Sequence, residues 1–416
     1  MEAVQRVRET KGRSAEPRSL FTTFEGYTAP EIRLTAELIV DRNVQDDFGV
    51  HAKAAISTLR YEVAFGVRTE DGVERLVLTE EKLDPIPLHD AQDVFAFPKQ
   101  KSFVKSCISG RRVVPFISTN TEGSEPEIRV HQEGHGGRRV NAPKSARTVI
   151  SGMASSDYPT ILAAHREMQS WQTLLLEPSA MRALSQYQDA RFIDSRGGNL
   201  PGTIFRLQKN EKNAGSTYTE LANRLAELIE DVHELQVRDD PKTETLTLEV
   251  KGRNGVFHPA RSLSDGTLRF LVLATLAQDP LARGIICLEE PENGIHPERI
   301  HAMVRLLKDI ATDTKYAVGP GNPLRQVIVN THSSEVVRNV SPEEDFVYVD
   351  EERTRVGHVN GRVASILVPP GSWREKAPAA KGRLMPTKVW AYLGLEPPTE
   401  YKQMWLALAD SGPANQ

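Results

Sequence analysis

Cysteine and long apolar runs are nearly missing from this chain. Cys107 and Cys287 are the only cysteines among 416 residues, too few for a disulfide framework or, by themselves, for a zinc site. The longest strongly apolar run, from Phe270 to Ala277, is far too short to cross a bilayer. No basic start precedes an apolar segment, so we expect no signal peptide. We therefore expect a protein of the reducing cytoplasm, without a membrane partner.

The composition excludes a disordered chain and a collagen-like one. Hydrophobic residues make up 39% of the chain and charged residues 26%, as in ordinary globular proteins. The length predicts about two to three domains, or one large α/β body with insertions. We expect the divisions 1–152, 153–341 and 342–416, with a strand and small helices around Trp390 and Trp405 in the last segment.

A basic block between Lys99 and Arg147 is hidden by the net charge of −4. Ten basic residues stand there against four acidic ones, a local charge of +6. Such a block on an acidic chain can contact nucleic acid. The candidates for a DNA contact are Arg111, Arg112, Arg138 and Arg139. A solvated surface with a flexible loop explains the same charges, and the aromatic residues that single-strand binders interleave are sparse here.

Alternation of apolar and polar residues marks strands in the first third of the chain. Glu31–Val40 and Thr58–Val67 alternate over their whole length, which is typical of half-buried strands. Asp71-Gly72 follows as a hairpin signal. These patterns predict an antiparallel β layer, and the mixture of helical spacing and apolar strands after residue 153 predicts an α/β core.

Two carboxylates follow a short apolar run at Gly284–Leu288. Such a run is typical of a buried parallel strand, and ligands bind beyond the carboxyl ends of these strands. Glu289 and Glu290 come directly after it. Their oxygens suit Mg²⁺, which prefers oxygen ligands and keeps several waters. A strand that ends in an acidic turn at the surface explains the pattern equally well.

Two further segments carry polar residues beside apolar ones. Ser264-Asp265-Gly266 precedes an apolar helix; Ser264 is a good N-cap, and a helix N-terminus favours phosphate. A second apolar strand, Gln326–Val329, leads to His332 and then to serines that can cap a helix. Taken singly, an ordinary capped helix and a structural histidine explain these two patterns.

The order of the three motifs resembles a known family. Leu263–Phe270, Glu289–Pro297 and Thr331–Ser333 are similar to the signature, Walker B and switch motifs of ABC-class ATPase heads. They resemble most closely the RecF/SMC/OLD-like predicted ATPases of the AAA type. The resemblance implies an α/β fold of the ABC-type P-loop NTPase head, with the antiparallel β layer added to it.

The resemblance also implies a role for each motif residue. Glu289 would hold Mg²⁺ through water, and Glu290 would be the general base that orients the attacking water. His332 would contact the γ-phosphate of ATP. The residues that would meet the nucleotide or the opposite protomer of a head-to-tail homodimer are Ser264, Asp265, Gly266 and Asn293. DNA repair or anti-phage defence, with DNA or an effector protein as partner, is what the family suggests.

The phosphate-binding P-loop of this family is missing from the sequence. No G-x-x-x-x-G-K-[ST] occurs, nor any Gly-Lys dipeptide, and Gly197–Thr203 has the glycine spacing without the lysine. One hypothesis is that the start is too late, with the first strand and P-loop upstream of Met1. The alternative is a P-loop-less partner that completes the site of another ATPase in trans. A transporter's ATPase subunit is a weaker hypothesis, because Pro291–Pro297 differs from the loop of those subunits.

The same resemblance predicts what the missing segment would leave behind. In a sheet of this class, we expect the P-loop strand to lie beside the Walker B strand, with the first helix packed on it. Without them, Ile285–Leu288 and Val327–Val329 should have an unpaired neighbour or an uncovered face.

Overall fold

The computed structural model describes residues 17–24, 27–123, 125–131, 137–145, 147–209, 217–228, 232–341, 346–356, 359–369, 372–376 and 382–383. The described residues fall into two compact units. The first lies within 17–169 and 349–366, and the second within 170–348, 367–376 and 382–383. The divisions drawn from the sequence near residues 152 and 341 stay predictions. The helices expected around Trp390 and Trp405 lie outside the described residues.

Antiparallel strands dominate the first unit. Its strands are β1 (Thr23–Phe24), β2 (Tyr27–Thr28), β3 (Glu31–Ile39), β4 (Asn43–Gln45), β5 (His51–Lys53), β6 (Thr58–Glu70), β7 (Val73–Pro85), β8 (Ile117–Asn120), β9 (Glu127–His131) and β10 (Gly137–Asn141). Its helices are α1 (Ala91–Val94), α2 (Lys101–Cys107), α3 (Val149–Gly152) and α4 (Pro159–Gln169), with 3-10 turns at Pro17–Leu20 and Ala142–Lys144.

The predicted antiparallel β layer is confirmed. Six strands are ordered β10-β9-β8-β7-β6-β3, and every neighbouring pair is antiparallel. The β6–β7 turn is the predicted Asp71-Gly72 hairpin, with φ of 51° and 77°, the left-handed pair that a tight hairpin needs. Fully buried Leu59, Leu83 and Phe116 contribute to the core of this unit.

A buried carboxylate anchors α3 to this sheet. Glu81 on β7 has no exposed surface. Its two oxygens accept hydrogen bonds from the amides of Val149 (2.6 Å) and Ile150 (2.9 Å), and the Tyr61 hydroxyl donates to it at 3.1 Å. The first amides of a helix have no partner within the helix, so Glu81 acts as an external cap of α3. Desolvation raises the pKa of this carboxyl group against the lowering effect of those hydrogen bonds.

The second unit combines two small sheets with helices. Its strands are β11 (Gln172–Leu174), β12 (Ser185–Gln186), β13 (Val232–Asp240), β14 (Thr245–Gly252), β15 (Phe257–Pro259), β16 (Gly284–Glu289) and β17 (Arg325–Asn330). Its helices are α5 (Pro178–Met181), α6 (Leu200–Lys209), α7 (Thr217–Ala226), α8 (Asp265–Gln278), α9 (Ile300–Ile310) and α10 (Ser334–Arg338). Three 3-10 turns are at Ala260–Ser262, Pro297–Arg299 and Trp373–Lys376.

The last described strands form a small sheet of their own. They are β18 (Tyr348–Val356), β19 (Val359–Val368) and β20 (Gly382–Arg383), in the order β18-β19-β20. The strand predicted at Phe346–Val349 therefore begins two residues later and runs further. None of the helices in the described ranges is both long enough and apolar enough to cross a membrane.

Parallel strands β11, β16 and β17 lie side by side, with β16 in the middle. The expectation that a P-loop strand flanks the Walker B strand is therefore wrong, because both edges of β16 are already paired. Within the described part of the chain, β17 pairs only with β16. Ile328 on β17 keeps 46% of its surface exposed, so the prediction of an uncovered apolar side chain is confirmed at this strand.

Helix α8 runs through the core of the second unit. Nearly all of its residues are buried, as its almost continuous apolar sequence predicts. Arg325 at the start of β17 donates from Nη1 to the Leu276 carbonyl oxygen at 2.6 Å and so caps the far end of α8. Burial lowers the pKa of the Arg325 guanidinium to about 10, against the opposing charge of Asp279. Helix α8 is thus fixed to the start of the strand that leads to His332.

Candidate functional site

The polar motifs that follow β16 and β17 meet at one edge of the sheet. Glu289 is the last residue of β16 and pairs in register with Asn330, the last residue of β17. Because the two strands are parallel, the segments that follow them leave the sheet on the same side. The structure therefore brings Glu289 and Glu290 to the edge from which the loop with His332 also leaves. Glu289 and His332 are both exposed there.

Glu290 is held in an unusual backbone conformation. Its φ is +43°, a left-handed value that non-glycine residues adopt rarely and at a cost in energy. Its amide donates to the Asn330 carbonyl oxygen at 2.8 Å, and Asn293 Nδ2 donates to Glu290 Oε2 at 2.8 Å. The carboxylate is thus oriented by Asn293, while the backbone is tied to the neighbouring strand. Strain that is kept by specific contacts marks Glu290 as a functional candidate.

Ser264 caps α8, as the sequence predicts. Its Oγ accepts a hydrogen bond from the Thr267 amide at 3.2 Å. Asp265, the first helical residue, forms an ion pair with Arg182, whose Nη2 also donates to the Leu263 carbonyl oxygen at 3.0 Å. Arg182 therefore fixes the turn before the helix. The motif search did not find Arg182, because it lies some eighty residues earlier in the chain.

Gly266 brings this helix start against the loop that follows β16. A Cβ at Gly266 would lie 2.1 Å from the Gly294 carbonyl oxygen, closer than any side chain tolerates. Gly294 itself has φ of +81°, which glycine adopts without strain. The contact joins the Ser264-Asp265-Gly266 motif to the loop with Asn293, so the structure brings these candidates together within one chain.

Replacing Gly266 with alanine should displace this loop, because backbone blocks the added methyl group on the Gly294 side. We expect a loss of about 1–3 kcal/mol in the free energy of unfolding, measured by urea denaturation. Gly319→Ala is the matched control, since nothing lies within 4 Å of a Cβ there. Equal stability of the two variants would contradict the close contact.

Oxygen ligands at the sheet edge fit a magnesium ion only with water as the main ligand. In the described segments, no group of three or more His, Cys, Asp and Glu side chains is placed to hold a metal. Glu289 and Glu290 supply the nearest carboxylates, and Glu289 is exposed to solvent. Mg²⁺ commonly binds through one or two carboxylates and keeps several waters, and the residue set is compatible with that arrangement.

The basic candidates for DNA lie on separate segments of the first unit. Arg111 and Arg112 precede β8, and Arg112 stacks on Phe116 with 5.0 Å from its guanidinium to the ring centroid. Arg139 on β10 forms a 3.3 Å ion pair with Glu127, which reduces its net charge. The side chain of Arg138 lies outside the described residues. A shared DNA surface stays a prediction.

Glu292 belongs to the site but was missed by the motif argument. It retains only 9% of its surface exposed and accepts a hydrogen bond from Thr331 Oγ1, one residue before His332. In the sequence it appears as one more acidic residue of an acidic turn, and nothing local signals its burial. Its position two residues after the candidate base was the one available hint.

The chain matches the model of a protein family over residues 116–338, more than half of its length. With the site geometry, this match defines an AAA-type, ATPase-like protein. The chain belongs to the family described as "AAA domain, putative AbiEii toxin, Type IV TA system". The α/β fold class and the broad resemblance to AAA/ABC-type ATPases are thereby confirmed.

Solved structures similar to this chain are heads of Smc proteins. The Smc head of Pyrococcus furiosus, bound to the C-terminal domain of ScpA, is 10% identical, with 35% of this chain and 34% of that chain covered and a TM-score of 0.24. This chain thus spans about a third of that protein. The SMC head domain of Thermotoga maritima is 10% identical, with 74% and 98% covered and a TM-score of 0.23. TM-scores of this size carry no argument about function. No curated protein matches the chain.

Proposed function

We propose that this chain is the catalytic head of an ABC-class, RecF/SMC-like ATPase that hydrolyses ATP with Mg²⁺. The observation that carries the proposal is the link between the two segments beyond β16 and β17. The Glu290 amide donates to the Asn330 carbonyl oxygen at 2.8 Å while Glu290 keeps its left-handed backbone. A carboxylate fixed in this way beside His332 suits a general base that orients an attacking water.

In this proposal, the chain's own residues divide the work. Glu289 holds the metal ion through water, which neutralises phosphate charge when it is bound. Asn293 orients Glu290, and His332 lies on the loop that follows the adjacent strand. Ser264 and Gly266, on the exposed start of α8 beside the Gly294 loop, supply contacts to the nucleotide of a second protomer. This division requires a head-to-tail homodimer, with the signature motif of one protomer facing the nucleotide of the other.

The P-loop has to come from outside these 416 residues, since no G-x-x-x-x-G-K-[ST] is present. We place it in a segment upstream of Met1 in the same polypeptide. The unpaired edge of β17 supports this, because a further parallel strand could pair there without displacing β11 or β16. The in-frame DNA upstream of Met1 tests the point directly, and a strand, P-loop and helix encoded there would establish it.

The 416 residues alone should bind Mg-ATP weakly and hydrolyse it negligibly, because nothing cradles the β- and γ-phosphates. Isothermal titration with Mg-ATP measures this affinity, and phosphate release measures turnover. The same measurements on the polypeptide extended by a P-loop segment should show both binding and hydrolysis. Sub-micromolar affinity from the 416 residues alone would contradict the proposal.

A P-loop-less partner subunit is the second candidate, and the missing motif is what favours it. Such a chain would supply Ser264 and Gly266 to the nucleotide site of a complete ATPase in trans. It should then be stable by itself and should stimulate the ATPase that it joins. A cooperative melt of the 416 residues as a soluble monomer at high temperature, with no P-loop encoded upstream, would favour this candidate.

The cellular role belongs to the proposal as well. The family description mentions a toxin of a type IV toxin–antitoxin system, which supports anti-phage defence or DNA maintenance over transport. DNA, reached through Arg111, Arg112 and Arg139, and an effector protein are the partners that we propose. We place the protein in the cytoplasm.

A further inference from the structure

Glu292 has an environment that a buried carboxylate seldom has. Its side chain is 91% buried by the 9% exposure above, and such glutamates are normally paired. Oε1 accepts from Thr331, but Oε2 has no hydrogen-bond partner among the residues that the structure describes. A buried, unpartnered carboxylate oxygen is costly, and each such atom in a folded protein calls for a physical explanation.

Thr331 passes this contact on to the residues around His332. Its Oγ1 donates to Glu292 and accepts from the Ser333 amide at 2.9 Å. The Glu292–Thr331–Ser333 chain therefore spans the residue that lies between Thr331 and Ser333, which is His332. At its other end, Glu292 lies two residues after Glu290, and its carbonyl oxygen accepts from the Ile295 amide at 2.9 Å.

The two loops are thus joined twice, once through backbone and once through side chains. The backbone link runs from the Glu290 amide to Asn330, and the side-chain link runs from Thr331 to Glu292. Rotation of either loop about the backbone link alone would change the separation of Glu290 and His332. The second link removes that freedom, and positioning of this kind has large effects on rate.

We propose that Glu292 is a positioning residue that fixes the loop of His332 relative to Glu290 through Thr331. Its free oxygen, Oε2, accepts a hydrogen bond from a water that is ordered only when Mg-ATP is bound. This inference rests on the proposed ATPase function. It makes Glu292 a residue that lowers the stability of the nucleotide-free protein and raises the rate of the nucleotide-bound one.

Glu292→Gln separates these two effects, because glutamine keeps an acceptor for Thr331 but has no charge and no second acceptor. In the 416-residue chain, its melting temperature should equal or exceed that of the wild type. In the polypeptide with a P-loop, kcat should fall about tenfold or more at unchanged KM. Glu298→Gln, on an exposed side chain (84%) of the same loop region, is the matched control and should change neither quantity.

Thr331 provides the second pair of variants. Thr331→Val removes the donor and should lower kcat as Glu292→Gln does, whereas Thr331→Ser keeps the hydroxyl and should restore it. A lower melting temperature for Glu292→Gln, or an unchanged kcat in Thr331→Val, would overturn the inference. If the wild type with a P-loop hydrolyses no ATP, the proposed function fails. The melting comparison and hydrogen exchange at the Ser333 amide, faster in Thr331→Val, still decide whether Glu292 is an unpartnered, loop-fixing group.

Discussion

Replacing Glu290 with glutamine is expected to lower ATP hydrolysis by roughly a hundredfold or more while leaving nucleotide binding intact. Glutamine keeps an oxygen that can accept from Asn293 Nδ2, now 2.8 Å from Glu290 Oε2, so the loop should hold its shape. The amide cannot take up a proton from water, and the general base is lost. The left-handed backbone at this residue is no harder for glutamine than for glutamate.

The measurement uses the polypeptide that carries a P-loop. Phosphate release gives the rate, and light scattering with ATP detects the dimer that should accumulate when turnover stops. Glu298→Gln serves again as the control for removal of one negative charge from this region. A Glu290→Gln variant that hydrolyses ATP at the normal rate would move the base to another residue, and the proposed assignment would be wrong.

Local sequence signals predicted the elements of this fold well. Alternation predicted β3 and β6, because one face of each strand is covered and the other is wet. Asp71-Gly72 predicted its hairpin, since few other pairs reach φ of 51° and 77° without strain. Apolar runs that end in polar residues predicted β16 and β17. In each case the deciding physics lies within about ten residues of chain.

Features that depend on contacts between distant segments could not be predicted in this way. Gly266 contacts Gly294, and Glu292 contacts Thr331 across 39 positions; no local periodicity reports either. Val232 has helical spacing with the leucines of α7, yet it begins β13. The partners of β16 were also mistaken, because strand order follows from packing of the whole sheet rather than from the strand's own residues.

A β-bulge shows how little a local irregularity reveals itself in sequence. The register between β6 and β7 shifts at Phe65, which pairs with Leu78, while Ala64 pairs with Glu80. The extra residue, Thr79, changes the alternation, so Glu81 and Leu83 both lie buried. Strict alternation from Leu78 would have turned Glu81 to the other face. A bulge that re-aims one side chain thus places a carboxylate under the start of α3.

Removing that carboxylate should destabilise the first unit strongly. Glu81→Ala leaves the Val149 and Ile150 amides and the Tyr61 hydroxyl without their acceptor in a site closed to water. We expect a loss of about 3–5 kcal/mol in the free energy of unfolding, as for other broken buried networks. Glu81→Gln keeps the volume and one acceptor, so it should lose about 1–3 kcal/mol. Urea denaturation followed by circular dichroism measures both.

The dependence of these losses on pH distinguishes Glu81 from its neighbour Glu80. Desolvation raises the pKa of Glu81, so the folded protein holds this proton more tightly than the unfolded chain, and the stability that Glu81 contributes grows as the pH falls. For Glu80, desolvation is outweighed by hydrogen bonds from Lys82 and Arg33, which lower its pKa, so its contribution shrinks as the pH falls. The deficit of Glu81→Gln relative to the wild type should therefore widen between pH 7.5 and pH 5, while that of Glu80→Gln should narrow. Deficits that move in the same direction would show that burial does not control the ionisation of Glu81.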